Sequence, residues 1–504
     1  MYRIVQADKD TYITNKIISN TLRATDSNTG QAGTIDIFKL YDENTFSGES
    51  EPIEVSRALI HFDLTDIRSA ILLGELDINS TNFTCSINLS DVYGGQTTPS
   101  NFTLSVYPLS KSFDEGNGRD VVRFEDIDVV NFITASISGT PVLWAVTGAN
   151  YGGSLTTAGV DYFTQGDLND GEGIVSFEST QVFQTGQEDL NVNVTKIVSG
   201  VLAGIIPDAG FRLSFTSSQE VDEKTRFVKR FASRNTTNTA KRPKLIITYD
   251  DTISDQTQLF EFNTTGSIFL NSYTRGIQSN LLSGSSLTQL TGSNCVVVKI
   301  ESGSISRFYS GSQYAIGNVP IGGLYKASFL VNSFDSDIRS YLTGSGASGL
   351  QFGVKWLSTD KSVLYATGSL NINTRETTYF SQTPERYFIN ITNMRSSYKN
   401  TEKFRFRMFI DNFNKEIVFV KTPLENIGVI VDKCFYRVRD FESEDIIIPF
   451  HDPGTKVSND SSSHYFDIFM SSLPRGRTYT FDFKIVNKGQ EIIINDVAAK
   501  FRVE

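Results

Sequence analysis

The sequence contains few of the residues on which enzyme chemistry usually depends. Only three histidines, His61, His451 and His464, occur in 504 residues. Histidine is the commonest general base and metal ligand, but no two of these lie at zinc-like spacing with a cysteine or carboxylate. The sequence also contains no nucleophile elbow, phosphate-binding loop, dinucleotide fingerprint or zinc-protease motif. We therefore expect no catalytic residue, no metal site and no cofactor, and we expect the histidines on strand or loop surfaces.

Cysteine, long apolar runs and positive charge are also scarce. Cys85, Cys295 and Cys434 are odd in number and far apart, so we expect buried, reduced thiols and no disulfide framework. No apolar stretch is long enough to cross a bilayer, and the first residues do not resemble a signal peptide. The net charge of −11 argues against general nucleic-acid binding, which needs a cationic surplus. The sequence thus predicts a protein folded in a cytoplasm, with neither a membrane nor a nucleic acid as partner.

Aromatic and β-branched residues are abundant instead. The chain has 37 Phe and 20 Tyr against 4 Met and 2 Trp, and it is rich in Val, Ile and Thr. These residues fit the pleated, half-buried surface of a β-sheet. A chain of 504 residues is also too long for one hydrophobic core. The composition therefore predicts an all-β protein with several β-sandwich domains, of jelly-roll or immunoglobulin-like type, in tandem.

Two polar segments, residues 250–255 and 395–400, divide the chain. Polar stretches of this kind are typical domain boundaries. We place one sandwich at residues 1–251, a second at 252–400 and an immunoglobulin-like sandwich at 401–504.

The most informative stretch is residues 56–67, which alternates as a half-buried strand does. It therefore predicts a central strand with one face in a sandwich core and neighbours on both edges. One face carries Ala58, Ile60, Phe62 and Leu64, and the other carries Arg57, His61, Asp63 and Thr65, with Leu59 as the one apolar exception.

Weaker patterns give four further local predictions. We assign residues 70–79 to a strand, whereas residues 129–137 fit a short helix or a strand. Thr195 is a candidate N-cap of a short helix, and Gly204 is its candidate C-terminal stop. Residues 487–490 have the composition of a hairpin turn.

A basic run is the main candidate for a binding surface. Eight basic residues and no acidic ones occur between Lys224 and Lys244. Such a run fits a docking patch for an acidic partner or an anionic polysaccharide. The polar faces of two strands and their turn, which are solvated and have no partner, give the same pattern. The candidate binding residues are Lys224, Arg226, Lys229, Arg230 and Arg234.

Two other groups have both a functional and a structural interpretation. The acidic, glycine-containing loops at residues 114–117 and 167–172 offer oxygen ligands for calcium, but calcium needs six or more oxygens and ordinary turns look the same. Trp144, Tyr151 and Tyr162 fit a sugar-stacking platform or a sandwich core, and we expect Trp144 in the core.

Several segments resemble, in order, the DNRLRE (disaggregatase-related) family, whose fold is a β-sandwich related to carbohydrate-binding modules. Residues 57–64 match the family's R-x-L-x-x-F-D-L strand, and the closing S-R and P-x-L-x-x-x-Y patterns fall at residues 233–234 and 243–249. Residues 10–13, 104–109, 194–195 and 210–213 match further parts of the pattern. The resemblance covers roughly the first half of the chain, which long insertions interrupt. It implies a sandwich fold there and, by relation, a link to glycan binding.

The whole chain also resembles structural proteins of tailed phages, in its string of sandwiches and its Ser-, Gly-, Asn- and Thr-rich composition. This resemblance implies a non-enzymatic component of a virion, in the neck or collar, tail or baseplate. Its expected partners are other virion proteins and copies of itself, and its expected location is the virion after synthesis in the host cytoplasm. The alternative function is a carbohydrate-binding module that recognises a polysaccharide of the host cell surface. A glycan-degrading enzyme ranks last, because it needs paired carboxylates in a groove.

Overall fold

The structure is a computed structural model, and strands dominate it. It describes residues 1–44, 52–95, 98–258, 260–284, 286–316, 319–345, 349–374, 385–413, 428–461, 463–487 and 489–504. Strands account for 48% of the residues and helices for 8%. The prediction of an all-β protein with several β domains is confirmed.

The first domain is a β-sandwich with three short helices. The helices are α1 (Thr65–Leu72), α2 (Thr195–Leu202) and α3 (Ser217–Val221). The strands are β1 (Tyr2–Thr14), β2 (Ile17–Ile18), β3 (Leu22–Arg23), β4 (Thr34–Tyr41), β5 (Ile53–Phe62), β6 (Thr84–Leu89), β7 (Phe102–Pro108), β8 (Thr134–Ser138), β9 (Thr140–Leu143), β10 (Gly152–Ser154), β11 (Tyr162–Asp167), β12 (Ile174–Ser176), β13 (Ser179–Phe183), β14 (Leu190–Asn193), β15 (Phe211–Phe215), β16 (Arg226–Ala232) and β17 (Lys244–Thr248).

Strand β1 belongs to both sheets of this sandwich. Its first part, from Tyr2 to Gln6, pairs with β17, and its second part, from Ala7 to Thr14, pairs with β5. The register shifts between Ala7 and Lys9, and such a bulge allows one strand to pass from one sheet to the other. One sheet therefore runs β13–β7–β15–β5–β1 and the other β1–β17–β6–β14, with β16 and β4 alongside the start of β5.

Strand β5 is central, as predicted, but the prediction that it is half-buried is wrong. Ala58, Ile60 and Phe62 face the main core between the sheets, while Leu59 faces a second apolar cluster with Phe113 and Trp144. The insertion between β7 and β13 covers the outer side of this sheet and supplies most of that second cluster. This cover explains why Leu59 is apolar on a face that otherwise carries polar residues.

Local predictions had mixed outcomes. Residues 70–79 are not a strand, because α1 extends to Leu72 and turns follow it. Strand β8 (Thr134–Ser138) settles the alternatives left open for residues 129–137. Helix α2 is confirmed with Gly204 just beyond its end at φ +76°, a conformation that favours glycine. Thr195 is the first helical residue and not the cap, and its hydroxyl accepts a hydrogen bond from the Cys85 amide at 2.9 Å.

The second domain is one seven-stranded sheet with helix α4 (Ser336–Ser345). Its first and last strands, β18 and β19, are consecutive in the chain, so the sheet curls into a barrel-like sandwich around its core. Ile338 of α4 is buried in that core. The strands are β18 (Phe260–Glu261), β19 (Thr265–Asn271), β22 (Val296–Ser302), β23 (Ile305–Ile316), β24 (Val319–Leu330), β25 (Gly349–Leu357) and β26 (Leu364–Asn373), with the small pair β20 (Tyr273–Thr274) and β21 (Ile277–Gln278).

The third domain is a sandwich of a four-stranded and a five-stranded sheet around an aromatic core. The sheets run β27–β29–β33–β32 and β28–β35–β34–β30–β31, and the hairpin pairs Asn487 with Gln490. Strands at 387–391 and 397–398 belong to this core, although the polar segment at 395–400 predicts that residues up to 400 belong to the second domain. The strands are β27 (Tyr387–Ile391), β28 (Ser397–Tyr398), β29 (Lys403–Asn412), β30 (Lys433–Asp440), β31 (Ile446–Ile448), β32 (Ser458–Asn459), β33 (His464–Phe469), β34 (Thr478–Asn487) and β35 (Gln490–Val503).

The first and third domains are joined by backbone hydrogen bonds and by apolar contacts. Tyr2 and Ile4 of β1 are buried in the core of the third domain, 380 or more residues further along the chain. The linker after the first domain pairs with the third, because the Asn459 amide donates to the Ile253 carbonyl at 2.9 Å. The Asp255 amide in turn donates to the Asn459 carbonyl at 3.2 Å. The third domain thus covers part of the outer face of the β1–β17 sheet.

Candidate functional site

Two members of the basic run are buried inside the first domain. The Lys229 side chain has no exposed surface, and its ammonium donates to the Asp91 carboxylate and to the carbonyls of Gly186 (3.0 Å) and Glu188 (2.8 Å). Burial lowers the pKa of Lys229, and the carboxylate of Asp91 opposes that change. Arg226 donates to both carboxylate oxygens of Asp222, at 2.8 and 2.6 Å. Neither cation is presented to an external partner.

The other members do not form a free cationic surface either. Arg230 makes a bidentate pair with Asp36, with both hydrogen bonds at 2.8 Å, and Arg234 makes a bidentate pair with Glu115. Lys224 is exposed. Four of the five candidate residues are therefore neutralised by carboxylates that are distant in sequence or precede the run. The interpretation of the run as one open basic patch does not fit these positions.

The two acidic loops are engaged in hydrogen bonds and ion pairs within the protein. Glu115 of the first loop holds Arg234 and also accepts a hydrogen bond from the Asp10 amide at 2.8 Å. In the second loop, Asp170 and Glu172 pair with Lys196 at 3.4 and 2.6 Å. Within the part of the chain that the structure describes, no group of three or more metal-ligating side chains is positioned to hold an ion.

The three candidate stacking aromatics do not form a platform. Trp144 is in the core, as predicted, and its indole N–H donates to the Asn131 carbonyl at 3.0 Å. Tyr162 is also buried, against Tyr107, with the Arg212 guanidinium 4.5 Å from its ring centroid. Tyr151 is 41% exposed. One exposed ring does not make a stacking surface for a sugar chain.

A buried ionic cluster is the feature that sequence reasoning missed. Glu220 of α3 accepts two hydrogen bonds from Arg57, at 2.8 and 2.9 Å, and lies 3.7 Å from Arg212. The exposed fractions of Arg57, Glu220 and Arg212 are 4%, 7% and 2%. Burial raises the pKa of Glu220, but the two guanidinium groups lower it more, so its pKa lies below the usual range. Arg57 also donates to the Gly148 carbonyl at 2.7 Å and so ties β5 to the insertion.

The histidines have three different environments. His61 is partly exposed and lies between Asp8 (2.6 Å) and Asp208 (3.4 Å). Burial alone would lower the pKa of His61, but the two carboxylates raise it to about 9. The prediction of a surface position is wrong for His464, which is 3% exposed and whose pKa burial lowers to about 4. His451 is partly buried against Tyr2 at the junction of the first and third domains.

A polar cleft lies where α1 meets the third domain. Its volume is about 450 Å³, and its lining includes Arg3, Asp66, Glu75, Lys403 and Phe469. Ion pairs cross or flank it, with Arg3 2.7 Å from Asp66 and Lys403 3.0 Å from Glu75. The Arg3 guanidinium also lies 4.0 Å from the centroid of the Phe469 ring. The Lys403–Glu75 pair and the contact of Arg3 with Phe469 join the first and third domains.

The fold defines a multidomain all-β protein, and the comparisons with known proteins add little beyond this class. No protein-family model and no curated protein match the chain. The fibronectin(III)-like modules of Clostridium thermocellum CbhA are 8% identical with a TM-score of 0.13, over 50% of this chain and 88% of theirs. Intimin domains are 10% identical with a TM-score of 0.13, over 50% and 95%. A trypsin-activated alpha-2-macroglobulin from Escherichia coli is 8% identical with a TM-score of 0.15, over 92% and 24%. At similarities this low, neither an activity nor a partner of those proteins can be assigned to this chain.

The three cysteines are free and buried, as the sequence analysis predicts. None of the helices in the described residues is long and apolar enough to cross a bilayer.

Proposed function

We propose that the chain is a non-enzymatic structural component of a phage virion, in the neck or collar, tail or baseplate. It assembles there through repeated contacts with other virion proteins and with copies of itself. The resemblances of the sequence supply the phage context. The observation that carries the structural role is that parts of both outer faces of the first sandwich are packed against other segments of the same chain.

Part of one face is covered by the insertion, and part of the other face is covered by the third domain. Leu59, Phe113 and Trp144 form the apolar contact on the first side, and Tyr2 and Ile4 form it on the second. A β-sandwich that binds a long ligand on a sheet face needs that face open to solvent. In the first domain much of both faces instead joins parts of the chain, which leaves its loops and strand edges as its main surfaces for partners. Many weak contacts of that kind, repeated around a ring, give strong assembly without a deep site.

The charged groups support the same proposal. Arg57, Lys229 and Arg234 each hold a carboxylate of the same chain, and so do both sides of the cleft between the first and third domains. These ion pairs, buried for Arg57 and Lys229 and partly exposed for Arg234 and Lys403, link segments that are distant in the sequence. Groups poised for catalysis instead converge on a space that a substrate can enter.

The test is mass spectrometry of purified particles of the phage that carries this gene. We expect the polypeptide at a stoichiometry that matches a symmetric ring or a small multiple of one. Its absence from particles that retain their other structural proteins would refute the proposal. Its presence at far below one copy per particle would refute it as well.

The alternative, a carbohydrate-binding module, has one observation in its favour. The cleft between α1 and the third domain combines an aromatic ring, Phe469, with planar polar side chains, a lining that suits sugars. Under this alternative, Lys403→Ala weakens binding to an anionic glycan and Lys224→Ala does not, although both remove one exposed or partly exposed charge. A glycan array on which the full chain binds nothing, at low and at physiological salt, would remove the alternative.

A further inference from the structure

The barrel-like sheet of the second domain has an edge that the described chain leaves uncovered. In the sheet order, β26 lies between β25 and β18, but β18 pairs with it only at Ile372 and Asn373. Among the described residues, no main-chain group pairs with the outward side of β26 between Leu364 and Leu370. Thr367, Gly368 and Ser369 are exposed in succession, so neither face of the strand is packed there.

The direction of the backbone groups along this edge follows from one hydrogen bond. The Phe262 amide donates to the Asn373 carbonyl at 3.0 Å, so the carbonyl of Asn373 points away from β25. Backbone groups alternate in direction along a strand, so Ser369 and Thr367 point their N–H and C=O groups the same way. These two residues therefore present four main-chain groups to the outside of the sheet.

Edges elsewhere in the first and second domains are closed by side chains of the chain itself. On β19, the Ser267 amide donates to the Gln256 side chain at 2.9 Å, and the Phe269 amide donates to Asp255 at 3.0 Å. Between the two edge strands of the first domain, Gln181 of β13 reaches across to the backbone of Asp189 and Asn191. Proteins commonly protect edges in these ways or with lysine, proline or a bulge. Residues 362–374 carry no charge and no proline.

We propose that the edge of β26 pairs with the same edge of a second copy of this chain, antiparallel about a two-fold axis at Gly368. In this arrangement Thr367 of one copy lies opposite Ser369 of the other, and their outward groups hydrogen-bond. The two Gly368 residues then form the closely spaced, non-hydrogen-bonded pair at the axis. The proposal rests on the proposed function, because it names the surface through which copies of a structural component meet.

The absence of charge on this edge makes it the part of the strand row where a second copy meets no electrostatic repulsion. Two chains that each carry a net charge of −11 repel one another over most of their surface. An uncharged row of short polar side chains removes that repulsion locally, and Thr–Ser pairs are favourable across antiparallel strands. A symmetric contact also needs a surface that complements itself, and an uncharged strand paired antiparallel with its own copy meets that condition.

The test is to measure the mass of the full chain by light scattering after gel filtration, at protein concentrations from micromolar to millimolar. We expect a monomer–dimer equilibrium that Ser369→Pro weakens by about tenfold or more, because proline removes an N–H that points to the partner and not to β25. Ser369→Lys weakens it similarly by placing charge on the edge. Gln351→Lys, which adds the same charge on the neighbouring strand β25, leaves the equilibrium unchanged.

A cysteine cross-link then tests the register. The position of a Cβ atom on Gly368 has no heavy atom within 4 Å, and the three native cysteines are buried. Cα atoms of a non-hydrogen-bonded antiparallel pair are about 4.5 Å apart, within the range of a disulfide. We expect Gly368→Cys to form a covalent dimer under mild oxidation and Gln351→Cys to remain monomeric under the same conditions.

Three outcomes would overturn the proposal. They are a wild-type chain that stays monomeric throughout, a dimer that Ser369→Pro does not weaken, and a cross-link at Gln351→Cys but not at Gly368→Cys. A dimer that forms elsewhere, or a β-strand from a different virion protein on this edge, gives one of these results. None of them bears on whether the chain is present in particles, so failure here is distinguishable from failure of the proposed function.

Discussion

Replacing Glu220 by glutamine should destabilise the first domain strongly. Glu220 is the only carboxylate among the described residues that pairs with both buried arginines, Arg57 and Arg212. The substitution keeps the volume of the side chain but leaves two guanidinium groups together without a counter-charge. Breaking a buried ion pair in this way costs about 3–5 kcal/mol of the free energy of unfolding.

Fluorescence can follow this domain alone, because the two tryptophans lie in different cores. Trp144 packs with Leu59 in the cluster that the insertion forms, and Trp356 packs in the core of the second domain. In a Trp356→Phe background, urea unfolding monitored by Trp144 emission therefore reports the domain that contains Glu220. A single global midpoint is inadequate here, since multidomain proteins do not unfold in one step.

The matched control is Glu172→Gln, which removes the same charge from an exposed pair with Lys196. Exposed pairs contribute about 0–1 kcal/mol, so the control should shift the transition little. The two guanidinium groups hold the pKa of Glu220 below its usual range, so its stabilising effect is present at neutral pH and disappears as acid protonates it. The difference in the free energy of unfolding between the wild type and Glu220→Gln should therefore shrink as the pH falls below about 4.3. A loss below about 1 kcal/mol at neutral pH would refute the reasoning, because it would mean that the cluster contributes no more than a surface pair.

Three further predictions use the same logic. Two carboxylates raise the pKa of His61 from 6.5 to about 9, so the stabilising effect of this histidine is full below pH 6.5 and disappears as the pH rises through 9. The urea midpoints of the wild type and of His61→Gln should therefore converge at high pH. Midpoints that stay apart would contradict this prediction. The pKa of His464 is lowered from 6.5 to about 4 by burial, so the third domain should weaken as the pH falls from 6.5 to 4, and His464→Gln should flatten that dependence in near-UV circular dichroism. Phe406→Ala should cost the third domain about 3–5 kcal/mol, because Phe406 is fully buried and meets the rings of Phe466 and Phe481; a change below about 1 kcal/mol in the urea transition would show that the core refills the cavity.

The fold class could be predicted because composition and alternation report directly on sheets. Strand β5 was found from its own pattern, and so was the hairpin that joins β34 and β35. The misassigned segments have patterns that tertiary contacts override. Residues 70–72 end a helix whose Leu72 is 83% exposed, and Tyr398, in an apparently polar seam, is buried against Phe406 and Phe501. A short window cannot show which distant element covers a face.

The ion pairs of the basic run could not be predicted from the sequence for a related reason. The basic run contains no acidic residue, so charge counting along the chain predicts a positive surface. Its counter-charges come from elsewhere: Asp91 and Glu115 lie more than 100 residues before their partners Lys229 and Arg234. The buried cluster of Arg57 and Glu220 has the same origin, because the two residues are 163 positions apart in the sequence. One clue was available, because an apolar Leu59 beside Arg57 on the supposed solvent face indicates that this face is covered.

The covered faces also decide what kinds of function the architecture can support. A sandwich usually offers a partner two sheet faces, two rows of edge groups and two sets of loops. The first domain uses its faces for the insertion and for the third domain, and Gln181 links its edge strands β13 and β14. We therefore expect recognition by the first domain to fall mainly on its loops, whereas the other two domains also have sheet edges to offer. The uncovered stretch of β26 is such an edge, and the two-fold contact proposed there would supply one of the weak contacts from which a larger assembly is built.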